Sequence, residues 1–527
     1  MPLGSGSRVA RLAAAALALS MCGVLTACGG GSTGTSGRSG TPVAGDTLTL
    51  AVSAAPNSLD PGLVANASTV YTMLSYDSLT YLDADGAVQP GLATSWGFVG
   101  KGNTRFDLTV RQGVTFTDGT KLDAAAVVAS LDYARKALGP QALALASVTS
   151  VTATGPYTVS LKLSAPNPTL PQVLSQYYGI GQIISPKGLA NPKSLSAGAA
   201  SQGVGPYVYK PSASVAGDHY TYTARTGYFD KSRQRFKKVV LRVISNPQSA
   251  LNALKTGQID AVIGGDPGVA SQVKSAGMRV NAFPSVWQGL ALIDRGGKVA
   301  KPLADVRVRQ AINYALDRDA MTKAVLGEYG APTTQTVVKD ADGYSATAAR
   351  AYPYDVAKAK QLLAAAGYPN GFTLPVVSIN FGGIDTMAQA IKGQLARVGI
   401  NVTLKTDTDL QTYMADATSG RYPALAVGYG AQSMFLEGQG LFLPTAPLNG
   451  FRTTDAELTD LYNRAAAAPP AQQAELDRKM QEHLVDQAWF APVAFSPVMY
   501  YSRSTLGGIK LTAGNPVPSP LDWYETR

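Results

Sequence analysis

Short amphipathic segments that end at a glycine and continue directly into an apolar strand recur along the chain. In residues 250–263, apolar positions at helical spacing stop at Gly257, and the apolar run 259–263 follows. Residues 388–404 repeat this order around Gly399. Glycine adopts the left-handed conformation that ends a helix more easily than other residues. This pattern predicts α/β layers in which buried strands alternate with helices.

Two further helices have clear start signals. Asp305 precedes apolar residues at i, i+3, i+4, i+7 and i+8 from Val308, and Asp355 precedes a similar stripe that ends before Gly367. Aspartate caps a helix because its carboxylate accepts from the free N–H groups of the first turn. The remaining predicted elements are strands at 47–53, 105–110 and 157–163, and helices at 123–138 and 472–487.

The N-terminal segment has the features of an export signal. Arg8 and Arg11 precede an apolar run of about 14 residues, which is shorter than the ~20 of a spanning helix. The run ends in Leu-Thr-Ala-Cys28, which resembles the bacterial lipobox. We therefore expect a signal peptide at 1–27 and a lipidated Cys28 on a flexible Gly/Ser-rich tether, 28–46. The alternative is an ordinary cleaved signal with a coincidental cysteine.

Cysteine content and charge exclude several functional classes. The chain has two cysteines, and removal of the leader also removes Cys22, which leaves no disulfide framework or thiolate metal centre. The formal charge is +10, or +8 without Arg8 and Arg11, and the basic residues are scattered. Nucleic-acid binding is therefore not expected, since it needs a clustered basic surface.

Ordered stretches along the chain match those of one protein family. They are Leu59-Asp60-Pro61, Tyr76-Asp77-Ser78-Leu79, Pro90-Gly91-Leu92-Ala93, Gly205-Pro206-Tyr207, Lys255-Thr256-Gly257, Tyr354-Asp355, and the helix Asp-Val-Arg-Val-Arg-Gln-Ala-Ile-Asn-Tyr-Ala-Leu-Asp-Arg at 305–318. Together they resemble the extracytoplasmic solute-binding proteins of ABC importers, in the family of oligopeptide-, dipeptide- and nickel-binding members (bacterial solute-binding protein family 5).

The resemblance implies an α/β fold of the large, type II periplasmic-binding-protein kind, with two lobes and a subdomain inserted in the first. The ligand then lies in the interlobe cleft, which closes by a hinge motion that ABC permease subunits recognise. The chain is expected to cross between lobes near residues 292–294 and near Phe495. The expected boundaries are 47–84, 203–293 and 497–527 for lobe I, 85–202 for the inserted subdomain, and 294–496 for lobe II.

The resemblance also suggests where the ligand lies. Family members often bind a peptide ammonium with an aspartate just after an aromatic residue, and Tyr429 and Gln432 occupy these positions here. An amide cannot neutralise a buried ammonium, so this route is in doubt and a neutral polar ligand fits Gln432 at least as well. Gln432 as an ordinary surface-loop residue is the alternative.

Other candidate ligand contacts follow from predicted strand ends and lobe boundaries. Trp287 precedes the strand entering lobe II, where it can stack on a ligand or pack between the lobes. Asn57 and Ser58 follow the first strand, where they either contact the ligand or cap their own loop. Tyr501 is a weaker candidate, because strand alternation directs only one of Tyr500 and Tyr501 inward.

A hydrolase is the competing class. Ser271-Gln-Val-Lys274 and Lys255-Thr256-Gly257 match two β-lactamase motifs, but in the wrong order. The two histidines, His219 and His483, have no predicted nucleophile partner. The Asp-Ala-Asp-Gly runs at 83–86 and 340–343 lack the rest of a calcium loop and are interpreted as turns.

The sequence thus predicts a lipid-anchored binding protein of an ABC importer on the outer face of the cell membrane. Its ligand is expected to be a peptide or peptide-like solute, with an oligosaccharide or other neutral polar solute as the alternative. A ligand sensor or an adhesion partner that kept the binding fold is a third possibility. We expect a monomer without metal or cofactor, whose partners are the ligand, the permease subunits and the membrane through the anchor.

Overall fold

A computed structural model describes residues 41–137, 139–198 and 201–527. The predicted signal peptide and Cys28 lie outside the described residues. The strands are β1 Pro42–Val43, β2 Gly45–Val52, β3 Thr80–Leu82, β4 Val88–Pro90, β5 Ala93–Phe98, β6 Arg105–Val110, β7 Val148–Gly155, β8 Thr158–Leu163, β9 Tyr207–Tyr209, β10 His219–Ala224, β11 Phe236–Val243, β12 Ala261–Ile263, β13 Arg279–Leu292, β14 Ala331–Pro332, β15 Phe372–Ile379, β16 Ile400–Asp407, β17 Ala424–Gly430, β18 Phe490–Ser502, β19 Leu506–Gly507 and β20 Tyr524–Thr526.

The helices follow the capping residues. Asp123, Asp305 and Asp355 each accept a hydrogen bond from a backbone N–H in the first turn of their helix, as N-caps do. The helices are α1 Thr69–Thr72, α2 Ala124–Lys136, α3 Leu170–Val173, α4 Pro186–Leu189, α5 Pro192–Ser196, α6 Pro247–Lys255, α7 Ala270–Ser275, α8 Val306–Tyr314, α9 Arg318–Leu326, α10 Val356–Ala365, α11 Ile384–Ala396, α12 Leu410–Thr418, α13 Met434–Glu437, α14 Ala456–Ala467 and α15 Pro470–Asp486.

The predicted helix–glycine–strand units are present. Gly257 ends α6 with a φ of 71° before β12, and Gly399 follows α11 with a φ of 86° before β16. Both positive φ values explain why glycine occupies these positions. The predicted strands at 47–53, 105–110 and 157–163 correspond to β2, β6 and β8.

One mixed sheet runs through most of the fold, in the order β16-β15-β17-β13-β18-β12-β2-β11-β10-β9. At one end β15 pairs in parallel with β16 and β17, and towards the other end β2 pairs in parallel with β11 and β12. The long strands β13 and β18 pair antiparallel along their whole length and join the two ends. A separate four-stranded antiparallel sheet has the order β5-β6-β8-β7.

Large hydrophobic clusters accompany these sheets. One packs around α8, α11 and the β17 end of the main sheet, one around the four-stranded sheet and α2, and two smaller ones around β2 and β12. Along β13, Ala282 packs in the cluster around β12, whereas Trp287 packs in the cluster around α8 and α11. Between these two residues the pairing of β13 with β18 is irregular. This change comes before residue 292, where we expected the crossing; the lobe boundaries themselves stay predictions.

The start of the fold differs from the predicted tether. Pro42 and Val43 pair with Thr526 and Glu525, so β1 is already part of a sheet within 28–46. Among the described residues, no helix is both long enough and apolar enough to cross a membrane.

Candidate functional site

A cavity of about 610 Å³, lined by both polar and apolar residues, is formed by segments far apart in the sequence. This volume is in the range of small-molecule and short-peptide sites. Its lining residues are Asn66, Leu82, Asp85, Gly86, Ala87, Val88, Gln172, Tyr177, Tyr178, Val337, Val338, Asp340, Ala341, Asp342, Gly430, Ala431, Gln432, Ser433, Ala513, Gly514, Asn515 and Pro516. Segments that we assigned to the predicted lobe I, inserted subdomain and lobe II all contribute residues to this lining.

One wall of the cavity is the turn between β3 and β4. The Asp83 carboxylate accepts from the N–H groups of Asp85 and Ala87, so the first Asp-Ala-Asp-Gly run is a turn, as predicted. The C-terminal segment packs on this turn: Asn515 Nδ2 donates to Asp83 O over 2.9 Å, and a Cβ at Gly86 would collide with Gly514. Residues at opposite ends of the chain therefore fix this wall together.

Gln432 lines the cavity directly after β17. It contacts the Tyr429 hydroxyl, whose pKa is raised by burial and by the nearby Glu437, while Gln432 opposes the shift. The Tyr429 hydroxyl approaches Gly440 so closely that a side chain there would collide with it. The pair predicted from the family pattern is thus at the cavity, with Gln432 lining it and Tyr429 half-buried behind it.

A buried carboxyl lies beyond Tyr429. Thr336 Oγ1 is 2.8 Å from Glu437 Oε2 and 2.9 Å from Gln481 Oε1. A hydroxyl donates one proton, so if it donates to the glutamine oxygen, the carboxyl must donate to the hydroxyl. Burial raises the pKa of Glu437 to about 8, which agrees with a neutral carboxyl.

The side chains of Asn57 and Ser58 form hydrogen bonds within their own loop. Asn57 Nδ2 donates to Leu63 O, its Oδ1 accepts from Ala65 N, and Ser58 Oγ accepts from Asp60 N. Neither is among the described residues that line the cavity. The loop-capping alternative accounts for both side chains, and a ligand contact by them stays untested.

Trp287 is fully buried on β13. Its ring packs edge-on against Phe490 at 5.5 Å between centroids, and its indole Nε1 has no hydrogen-bond partner among the described residues. No face of the ring is accessible, so stacking on a ligand would require neighbouring side chains to move. This placement favours the packing alternative.

The two C-terminal tyrosines are also buried. The Tyr501 ring packs against Gly265, and its hydroxyl donates to Asp266 O over 2.5 Å. Tyr500 lies in a different hydrophobic cluster, edge-on to Trp523. Alternation along β18 does separate the two side chains, but it places both in hydrophobic cores. We expected Tyr501 to contact the ligand, but in this conformation it is a buried packing residue.

The cavity includes residues that the sequence did not single out as ligand contacts. Tyr177 and Tyr178 pack edge-on at 5.0 Å, and Asp340 and Asp342 belong to the second Asp-Ala-Asp-Gly run. That run was visible in the sequence, but only the fold brings it to Gln432. Asp340 has a φ of 68°, which is uncommon outside glycine and concentrates at functional sites.

Residues of the two hydrolase motifs and the two histidines make structural contacts. Lys274 pairs with Glu328 at 2.8 Å, and Gly257 ends α6. His219 pairs with its neighbour Asp218, while His483 contacts the carboxylate of Asp455, the cap of α14. Within the described part of the chain, no group of three or more His, Cys, Asp or Glu side chains is placed to hold a metal ion.

Comparison with known proteins decides the family. Residues 87–439 match the model of bacterial extracellular solute-binding proteins, family 5. The chain belongs to this family. The recognition made from the sequence motifs is therefore confirmed, and family 5 proteins serve ABC transporters as solute-binding components.

Individual relatives of this family 5 protein are distant. The glutathione-binding protein GsiB of Salmonella paratyphi A is 28% identical over 333 residues, which are 62% of this chain and 63% of that protein. The match thus spans less than two thirds of the relative's length. GsiB of Escherichia coli K12 is 28% identical over 329 residues, 62% of each chain.

Solved structures confirm the fold class. HbpA2 from Haemophilus parasuis has a TM-score of 0.78 at 21% identity, covering 92% of this chain and 100% of its own. DppA from Helicobacter pylori, in complex with the peptide STSA, has a TM-score of 0.72 at 22% identity, covering 92% and 99%. The predicted two-lobed, periplasmic-binding-protein-like α/β fold is confirmed.

Proposed function

We propose that this family 5 protein captures a peptide or peptide-like solute in the cavity beside Gln432 and delivers it to ABC permease subunits. The observation that carries the proposal is the 610 Å³ cavity, which residues from all three predicted parts of the fold line. A relative named for glutathione and a structural neighbour in complex with a peptide support this ligand class.

A neutral polar solute such as an oligosaccharide is the second candidate. Four amide side chains line the cavity: Asn66, Gln172, Gln432 and Asn515. Amides both donate and accept hydrogen bonds, so they suit sugar hydroxyls as well as peptide groups. This observation keeps the oligosaccharide alternative open on physical grounds.

A ligand panel tests the proposal by thermal unfolding. A solute that binds only the folded state and is present at ~100 times its Kd adds about 2.7 kcal/mol to the free energy of unfolding. We expect tripeptides or glutathione to raise the melting temperature, and Gln432→Ala to reduce the shift. The matched control is Gln411→Ala, which alters an exposed helical glutamine outside the cavity lining. A shift with oligosaccharides alone would favour the second candidate, and no shift with any solute would contradict the proposal.

We also propose that Cys28 carries lipid and confines the protein near its permease at high local concentration. Replacing Cys28 by alanine is expected to move the protein from the membrane fraction to the soluble fraction and to abolish incorporation of labelled fatty acid. Cys22→Ala is the control and is expected to change neither. Membrane retention of the Cys28→Ala protein would contradict the anchor.

A further inference from the structure

The charged side chains that line the cavity are all acidic. Asp85, Asp340 and Asp342 are in the lining, and no lysine or arginine is found among the described lining residues. The chain as a whole is basic, with a formal charge of +10. A negative cavity on a positive protein concentrates cationic solutes locally, because a cleft focuses the field of the charges that line it.

The three carboxylates differ in their protein partners. Asp85 pairs with Lys510, so its charge is already balanced. Asp340 and Asp342 are exposed, and neither makes a salt bridge or an identified side-chain hydrogen bond in the described part of the chain. Two uncompensated negative charges therefore face the cavity from a single turn, 340–343.

A buried carboxyl behind this turn points to the same ligand charge. Asp477 is 2% exposed, packs against Gly343, and its Oδ1 has no hydrogen-bond partner among the described residues. Burial and the charge of Asp342 together raise the pKa of Asp477 to about 7. A cation bound at Asp342 would offset this like-charge interaction.

Aromatic rings line the same cavity. Tyr177 and Tyr178 lie in the lining, and Tyr178 is close to Tyr429 beside Gln432. The face of an aromatic ring attracts ammonium and guanidinium groups, and it does so more strongly where water is excluded. Carboxylates and tyrosines around one cavity form a chemical environment suited to organic cations.

We infer that the solute carries an ammonium or guanidinium group, held by Asp340 and Asp342 with the tyrosines beside it. The inference rests on the proposed function and narrows its substrate class. It also answers the difficulty posed by Gln432: the positive charge that an amide cannot neutralise has carboxylate partners on another segment. A cationic peptide and an amino sugar share this chemistry.

Pairs of ligands that differ mainly in their positive charge test whether binding depends on that charge. One pair is N-acetyl-Ala-Arg-Ala-amide and the same peptide with citrulline, a neutral analogue of arginine. The other pair is the glucosamine trimer and its N-acetylated form. Calorimetric titration of the purified protein is expected to give at least tenfold tighter binding for the cationic member of one pair or both.

The protein variant is Asp340→Asn/Asp342→Asn, because asparagine tolerates the left-handed backbone of residue 340. We expect it to lose the preference for the cation without a loss of melting temperature, since removal of the Asp342 charge relieves its repulsion of Asp477. The control is Asp319→Asn, an exposed carboxylate on α9 outside the cavity lining. It is expected to bind as the unaltered protein does.

The possible results separate failure of the cation inference from failure of the proposed solute-binding function. Equal affinity for charged and neutral probes, or a preference that survives the double substitution, overturns the inference and leaves the proposed function standing. Failure of all four probes to bind overturns the inference, whereas the proposed function fails only if no solute of the wider panel raises the melting temperature.

Discussion

Replacing Arg318 by methionine is expected to lower the free energy of unfolding by on the order of 5 kcal/mol. The guanidinium is buried and donates to four backbone carbonyls and one side-chain oxygen at 2.8–3.2 Å. Methionine fills a similar volume but donates nothing. Each buried acceptor left without a donor costs about 1–3 kcal/mol, which makes the expected total large.

The bonds of Arg318 join separate parts of the fold. The acceptors are Thr333 O, Pro492 O, Asn313 O, Tyr352 O and Asn313 Oδ1. Burial lowers the pKa of Arg318 to about 10, so the group remains charged at neutral pH. The substitution to methionine removes the hydrogen bonds that link α8 to β18 and to the loop at Tyr352.

Denaturant unfolding of Arg318→Met against the unaltered protein measures the effect. Arg350→Met is the control, because Arg350 is exposed and its side chain makes no identified hydrogen bond in the described residues; it is expected to change stability by less than about 0.5 kcal/mol. Arg318→Lys should fall between the two, since one ammonium cannot reach all five acceptors. A loss of under about 1 kcal/mol in the methionine variant would show that these bonds do not hold the fold together.

Replacing Glu437 by glutamine is expected to remove much of the pH dependence of stability between pH 5 and pH 8. Burial raises the pKa of Glu437 from its ordinary value near 4.5 to about 8. Within that window the unfolded chain has lost a proton that the folded protein keeps. Stability therefore falls as pH rises, by at most about 1.4 kcal/mol per pH unit, and levels off above the folded-state pKa.

Glutamine is the matched replacement because its amide can donate to Thr336 Oγ1, as the protonated carboxyl would. We expect melting temperatures of the two proteins to be similar at pH 5 and the variant to be clearly more stable at pH 8.5. Asp477, whose pKa is raised to about 7, leaves a smaller slope in the variant. Glu328→Gln is the control, because Glu328 is exposed and its pairing with Lys274 lowers its pKa below the ordinary 4.5, outside this window. If the melting temperatures of Glu437→Gln and the unaltered protein changed with pH in parallel, Glu437 would not be the group whose ionisation lowers stability.

Local features of the fold could be predicted from the sequence. The caps at Asp305 and Asp355 and the helix ends at Gly257 and Gly399 depend on a few neighbouring residues, and the structure has each of them. The helix at 305–318 was recognised by its motif. The structure gives that motif a physical basis, since Arg309, Asn313 and Arg318 form a buried hydrogen-bonded group.

The cavity could be predicted only in part. Gln432 lines it, because the family pattern locates that loop, and its contact with a ligand stays a prediction. Trp287 was chosen as a tryptophan at a predicted lobe boundary, and Tyr501 from strand alternation. Their strands are buried on both faces, which places both side chains in hydrophobic cores. Asp340, Asp342 and Tyr177 reach the cavity through contacts between distant segments, which no local spacing encodes.

Native mass spectrometry of the protein isolated from its own membranes tests the central claim most directly. We predict one non-covalently bound small solute per chain, whose removal lowers the melting temperature and whose return restores it, with weaker retention in Gln432→Ala. Protein that carries no solute, and whose melting temperature does not respond to the small-molecule extract of its own cells, would contradict a solute-binding function.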